Sequence, residues 1–311
     1  MPAISRRRFL SISAAAGVLG SVPLAALATP AKHLLQSWTG VAMGAAASIT
    51  LSHPNADDIL DRARSELDRL ENIFSLYRPH SALSRLNTTG RVDTPPFELL
   101  ECLGMCGLIH QASNGLFDPT IQPIWQLYAE SYANGHAPAP ALIKQVRDQT
   151  GWHRVSITSN QISFTQPGMA ITLNGIAQGY VADRIATLLR SEGLTNVLIN
   201  TGEFSAIGGH PDDKPWAVAI DTGSQIKKDA VMLRDNALAT SLPNGTFFDQ
   251  DGLIGHILNP RTGLPVKTRR DSISVTASKA ALADGLTTAM CLMNDAECEM
   301  LLKQFPSARL V

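Results

Sequence analysis

A chain of 311 residues, 44% hydrophobic and 17% charged with a mean hydropathy near zero, has the composition of a globular protein. That excludes a disordered chain, a collagen-like chain and a multi-span membrane protein. Lys and Arg number 26 against 27 Asp and Glu, and only Arg6, Arg7 and Arg8 cluster, so the basic footprint of a nucleic-acid binder is excluded as well.

Those three bases belong to the first predicted element. Ser5-Arg6-Arg7-Arg8-Phe9-Leu10 precedes an apolar, Ala-rich run that ends in Ala26-Leu27-Ala28. A basic start, a mild apolar run and a small-x-small end are the parts of a secretory signal peptide. The arginine pair followed by Phe9-Leu10 matches the twin-arginine export signal. Gly17, Gly20, Ser21 and Pro23 interrupt the run, so a cleaved leader over 1–28 is expected rather than a membrane anchor. The expectation is a periplasmic protein, exported by the twin-arginine route, with its working domain at 29–311. The first cysteine is Cys102, so no lipid anchor is expected at the N-terminus.

Residues 57–74 carry apolar side chains at 59, 60, 63, 67, 70, 73 and 74 between charges, the period of an amphipathic helix. Pro95 and Pro96 open a second helix that reaches about His110 and ends near Asn114-Gly115. A break at Pro138 to Pro140 precedes a short helix to Gly151. Stretches 154–158, 162–165 and 169–173 read as short strands. Helical period returns over 176–190 and stops at Gly193. Strands are predicted over 196–200, 216–221, 230–234 and 272–276, and Ser278 caps a helix running to about Met293. Strands and helices interleave without strict βαβ alternation, and no repeat is visible. The predicted architecture is one α+β domain of mixed sheets and helices, with a site between two subdomains. Cys102, Cys106, Cys291 and Cys298 have neither CxxC spacing nor zinc-ligand histidines. Buried free thiols are expected, with a disulfide as the alternative.

Some clusters are too polar and glycine-rich to be only core. Asn174-Gly175-Ile176-Ala177-Gln178-Gly179-Tyr180 stands between a strand and a helix. Glycines there let the backbone approach a ligand, and a helix N-terminus attracts phosphate. The stretch lacks the Gly-Lys-Ser/Thr ending of a P-loop and the spacing of a dinucleotide fingerprint, so taken alone it reads as a tight strand-to-helix turn. Asp284 and Thr288 stand four apart on the late helix, so both oxygens leave one face. A carboxylate and a hydroxyl so placed can share a hard cation such as magnesium with phosphate oxygens. The plain alternative is a solvated Asp and a back-bonded Thr. Residues 115–120 and 255–263 are turns bearing polar groups beside apolar anchors, and His256 in the second is a candidate general base or phosphate partner, or else a structural histidine. Asn200-Thr201-Gly202-Glu203 follows a strand and also reads as a plain turn.

Their joint order is more specific. The chain shows Phe74-Ser75-x-Tyr77 with Ser84-Arg85-Leu86-Asn87, then Phe117-Asp118-Pro119-Thr120, then Gly175-Ile176-Ala177-x-Gly179-Tyr180. Asn200-Thr201-Gly202-Glu203, His256-x-x-Asn259-Pro260-x-Thr262-Gly263 and Ala283-Asp284-x-x-x-Thr288-Ala289 follow. In that order, from about Met43 to about Met293, they resemble the ApbE family of FAD:protein FMN transferases. The leader and the Asn-Gly-Ile-Ala-Gln-Gly-Tyr version are also similar to the NosX branch, which is associated with nitrous oxide reductase maturation.

The resemblance implies a magnesium-dependent transfer. FAD is the substrate, its diphosphate is cleaved, and FMN is attached by a phosphoester to a Thr or Ser of a partner protein with release of AMP. The partner it implies is a flavinylated subunit of a membrane electron-transfer complex. By the same resemblance Gly175 (backbone carbonyl), Asp284 and Thr288, with Thr287 beside them, are metal ligands. FAD contacts carry over to Met43, Tyr77, Leu116, Phe117, Asp118, Thr172, Gln178 and, in the fifth motif, His256 or Leu258. Catalytic roles fall to His256 and Asp284. The chain departs from the family at Ala45 (usually Thr), Thr172 (usually Asp), Gln178 (commonly Lys) and Glu203 (often Gly). The loss of charge at Gln178 weakens an electrostatic clamp on phosphates and, with Thr172, keeps in play an FAD-binding protein without transfer. The resemblance also leaves an FAD pyrophosphatase using the same metal site as an alternative.

Overall fold

Side chains alternate across a strand, so a strand with apolar residues at both parities has to be covered on both faces. The computed structural model, which describes residues 34–222, 230–268 and 270–311, is built around such strands. The leader expected over 1–28 lies outside the described residues. A seven-stranded antiparallel sheet runs in the order β1 (Gln36–Ala42), β2 (Ala45–Leu51), β6 (Val197–Asn200), β7 (Phe204–Ile207), β10 (Ala237–Ser241), β11 (Ile273–Ala277) and β12 (Arg309–Leu310). Val197 and Ile199 of β6 face the large core while Leu198 between them faces a smaller cluster. β10 repeats the pattern, with Ala237 and Ala239 inward and Leu238 outward. The outer cluster is covered by a hairpin of β8 (Trp216–Val218) and β9 (Val231–Leu233). A third, three-stranded sheet pairs β3 (Arg91–Asp93), β5 (Gln161–Phe164) and β4 (Val155–Ile157).

The inner face carries the helices. α1 (Ala56–Phe74) buries every apolar position that its period picked out, from Ile59 to Phe74. α2 (Ala82–Thr89) and α3 (Phe97–Ala112) follow. α4 (Gln122–Ala133) and α5 (Pro140–Arg147) stand apart and enclose their own cluster of Ile124, Tyr128, Ile143 and Leu258. α6 (Ala177–Ser191) and α7 (Ala280–Met290) lie in the large core, and α8 (Asp295–Lys303) follows α7. α6 and α7 hold each other by their first turns. The Asp183 carboxylate of α6 accepts from the backbone N–H groups of Ala280 and Ala281 at 2.9 and 3.0 Å. The Asp284 carboxylate of α7 accepts from Gly179 N at 3.2 Å. Each acid therefore satisfies donors that the other helix leaves free at its start. The α+β architecture of mixed sheets and helices is as expected, and it forms one domain.

Two local expectations are corrected. Residues 169–173 are not a strand, although Met169, Ile171 and Leu173 alternate and are buried. Their backbone is served from elsewhere. The Asn87 side chain donates to Ile171 O and accepts from Ile171 N, each at 2.8 Å, and Thr172 N donates to Pro119 O. An amide side chain thus stands where a neighbouring strand would have been. Ser278 does not cap α7; its hydroxyl meets that of Ser307, and Asp183 takes the capping role. The four cysteines are free and buried, as burial in α3 and the α7–α8 region dictates.

Candidate functional site

Chain segments converge on two adjoining cavities of about 150 and 110 Å³ that share Asn174, His256, Ile257 and Thr288 as a common wall. The larger is lined by Leu116, Phe117, Asp118, Thr172, Gly175 and Leu258 as well. The smaller adds Gln178, Glu203, Thr240, Ser241 and Asp284. Apolar and aromatic groups thus dominate one end and oxygens the other, the division a flat ring with a polar tail requires. The larger cavity lies between the large core and the α4–α5 cluster, whose Leu258 faces it.

At the polar end, Asp284 is 4% exposed. Burial pushes its carboxyl up to about 7; the Gly179 N–H pulls it back down, and nearby Asp183 raises it. Thr288, one turn on, brings its hydroxyl to 3.4 Å from the Gly175 carbonyl oxygen. A Cβ at position 175 would lie 2.7 Å from that hydroxyl, so only glycine lets the carbonyl and the hydroxyl stand together. Thr287 is not brought into this group. Its hydroxyl donates to Asp284 O at 2.9 Å and accepts from Ser241 at 2.8 Å, fully buried. The oxygen set is therefore Asp284, Thr288 and the Gly175 carbonyl. Among the described residues no three His, Cys, Asp or Glu side chains converge to hold a metal ion, so any cation here relies on hydroxyl and carbonyl oxygens as well.

His256 takes the boundary between the cavities. Its Nδ1 meets the Thr246 carbonyl at 3.2 Å. A carbonyl only accepts, so Nδ1 carries the proton and Nε2 is left as a lone pair. Desolvation of the ring pulls its pKa down to about 4, so the imidazole is neutral at ordinary pH and ready to accept.

The remaining predicted residues divide. Asp118 serves the loop: its Oδ1 accepts from Thr120 N and Thr120 Oγ1 at 2.8 and 2.6 Å, holding the turn that carries Phe117. Met43 and Tyr77 line neither cavity. Met43 is the first residue of the tight turn joining β1 to β2, with φ of 52° at Met43 and 78° at Gly44, and it packs on the large core. Tyr77 is 60% exposed on the loop after α1. The start of α6, read as a phosphate-binding terminus, is partly used by protein, since Ala177 N donates to Leu173 O and Gly179 N to Asp284. Glu203 was singled out by sequence only as a departure. It is 7% exposed and lines the polar cavity. An acid in a three-residue turn between buried strands is the signal that could have found it.

The ApbE family model matches residues 43–310. The chain is 29% identical to an FAD:protein FMN transferase of Vibrio cholerae over 75% of this chain and 73% of that one. It is 24% identical to an FAD:protein FMN transferase of Salmonella typhimurium over 96% and 89%. Among solved structures, the flavin transferase ApbE from Vibrio cholerae superposes with a TM-score of 0.75 at 24% identity, covering 89% of this chain and 94% of that one. The ApbE protein from Thermotoga maritima superposes with a TM-score of 0.79 at 25% identity, covering 89% and 93%.

Proposed function

This chain belongs to the ApbE family, and on that footing we propose that it is an FAD:protein FMN transferase working with magnesium. One observation carries the magnesium reading. Among the described residues no Lys or Arg lines either cavity, and the polar end holds Asp284 and Glu203. A wall of that sign repels a diphosphate, and a divalent cation on the wall reverses it. The donor set fits: a carboxylate, a hydroxyl and a carbonyl are the hard oxygens that magnesium takes when phosphate and water complete its shell. Gly175, Asp284 and Thr288 would hold it. Bound there, the ion would supply charge neutralisation on the diphosphate and on the departing phosphate.

The chain's own residues do the rest. Leu116, Phe117 and Leu258 receive the apolar ring of FAD, and Thr172 and Gln178 reach its polar parts. The acceptor's Thr or Ser oxygen attacks the phosphorus on the FMN side. The bond from that phosphorus to the bridging oxygen breaks, and AMP leaves with its electrons. The hydroxyl proton passes to Nε2 of His256, which Thr246 holds in the accepting tautomer. Replacement of His256 by Ala is expected to slow transfer by about 10²–10⁴-fold, read in single turnover with FAD and an acceptor domain; a rate within a few-fold of wild type removes His256 from this role. Protonated His256 is the inactive form, so with its pKa near 4, and with saturating magnesium keeping the Asp284 carboxylate ionised, the wild-type rate stays level as pH falls past 6.5 and drops only toward pH 4. Half-loss near 6.5 contradicts the neutral-imidazole assignment.

In-gel flavin fluorescence of an acceptor incubated with the protein, FAD and magnesium tests transfer itself. A label on the acceptor supports it. AMP release without an acceptor at the rate seen with one favours the pyrophosphatase alternative, and FAD binding with neither product favours the binding protein. The leader motif at Arg6 to Leu10 supports periplasmic action over 29–311 after twin-arginine export and cleavage at about residue 28. It also supports the NosX branch, with an acceptor in a membrane electron-transfer complex that serves nitrous oxide reduction.

A further inference from the structure

Glu203 is a buried acid that the transfer chemistry leaves without a task. It sits in the turn between β6 and β7, and its Oε2 accepts from Thr240 N at 3.0 Å. Asp284, in the same cavity, has its Oδ2 on Gly179 N. Each carboxylate thus spends one oxygen on a single backbone donor. Among the described residues, the charged group that acts on Glu203 is Asp284, of the same sign. Thr240 and Ser241 close the cavity on the β10 side, and His256, which is neutral, closes it on another. Two carboxylates more than nine-tenths buried at one wall are costly unless something positive lies between them. The Thr288 hydroxyl lines the same cavity, and the Gly175 carbonyl stands against that hydroxyl.

We propose that Glu203 is a second carboxylate ligand of the cation centre, closing it opposite Asp284. This rests on the reading of Asp284, Thr288 and Gly175 as a cation site and adds a ligand to it. Two carboxylates neutralise a divalent ion without help from a nucleotide, whereas one carboxylate leaves a net positive charge that the diphosphate has to complete. The chain therefore loads its cation before FAD, and the loaded centre compensates for the uncharged Gln178.

The test uses the nucleotide-free protein and Mn²⁺ as probe, followed by calorimetry and by the loss of the free-ion spin-resonance signal. Wild type is expected to bind one Mn²⁺ per chain, Glu203→Gln at least tenfold more weakly, and Asp284→Asn more weakly still. Glu203→Gln within twofold of wild type, with Asp284→Asn defective, overturns the proposal while the cation reading stands. No loss in either variant overturns both. Melting temperatures give a second measure. Glu203→Gln keeps an acceptor for Thr240 N and removes the like charge, so in EDTA it melts no lower than wild type, and the rise on adding Mn²⁺ shrinks. A lower melting temperature in EDTA with an unchanged Mn²⁺ shift makes Glu203 structural and refutes its role as a ligand.

Discussion

Asp284→Ala lowers the rate of FMN transfer by at least about a thousandfold, the loss expected when the charged anchor of a metal-assisted phosphoryl transfer is removed. The carboxylate is the one charged member of the group formed with Thr288 and the Gly175 carbonyl, and burial has already stripped it of water. The Thr288 hydroxyl and the Gly175 carbonyl bring only dipoles and cannot anchor a dication without it. Asp284→Asn separates charge from shape: it keeps an oxygen for Gly179 N and loses the charge alone, and it is expected to be nearly as inactive. Asp284→Asn should melt close to wild type in EDTA, because burial already disfavours the ionised carboxylate and the amide oxygen still accepts from Gly179 N, whereas Asp284→Ala leaves that N–H unpaired and melts lower. Single-turnover transfer followed by flavin fluorescence on the acceptor reads the effect. Either variant within tenfold of wild type is incompatible with a cation held by Asp284.

Gly179→Ala should cost about 3 kcal/mol or more, lowering the melting temperature by on the order of 6–10 °C. The sign makes the experiment informative. In an exposed helix the same change stabilises by roughly 0.5–1 kcal/mol, because Ala has the higher helix propensity. Here the added Cβ would stand 2.4 Å from Ala280 O, 2.5 Å from Ala280 C and 2.7 Å from Ala281 N. These are backbone atoms at the start of α7, and the Asp183 carboxylate, also on α6, fixes the N–H groups of Ala280 and Ala281. No side chain is present to swing away, so α6 and α7 have to separate, which also pulls Gly179 N from Asp284. Thermal melting in EDTA measures the fold alone. An unchanged or raised melting temperature refutes the close backbone packing of the two helices.

These glycines show what a sequence discloses and what it withholds. Gly175 and Gly179 were legible as places of close backbone approach, but the partner was not. The chain pattern suggested a ligand, and the structure puts Thr288 against one and the backbone of α7 against the other. α1 was legible because its apolar residues follow helical period over five turns and every one is buried. β1 and β2 were not read as strands. Ala45, Ala46, Ala47, Ser48 and Thr50 carry little apolar contrast between faces, and the tight turn at Met43-Gly44 was read as part of a ligand motif. Stretch 169–173 has the alternation of a strand, but its hydrogen bonds go to an asparagine side chain 84 residues away in sequence, which no local pattern encodes.

The candidate site divides in the same way. Asp284 and Thr288 are one helical turn apart, so their shared face follows from spacing alone. Bringing Gly175, His256, Leu116 and Phe117 to that face needs the tertiary fold, and only the joint order of the motifs pointed to it. Thr287 adjoins the pair in sequence, yet helix geometry turns its hydroxyl into the core toward Ser241. Glu203 stands 81 positions from Asp284, and the two share a cavity because β6 and β7 pack on α6, which packs on α7.

A crystal grown with FAD and Mn²⁺, measured for manganese anomalous scattering, tests the central claim most directly. The predicted result is a peak roughly 2.0–2.2 Å from the Asp284 carboxylate, the Thr288 hydroxyl and the Gly175 carbonyl, with the FAD diphosphate on the same ion and the flavin ring toward Phe117 and Leu258. A diphosphate lying away from α7, or manganese bound without any of these three oxygens, contradicts the account.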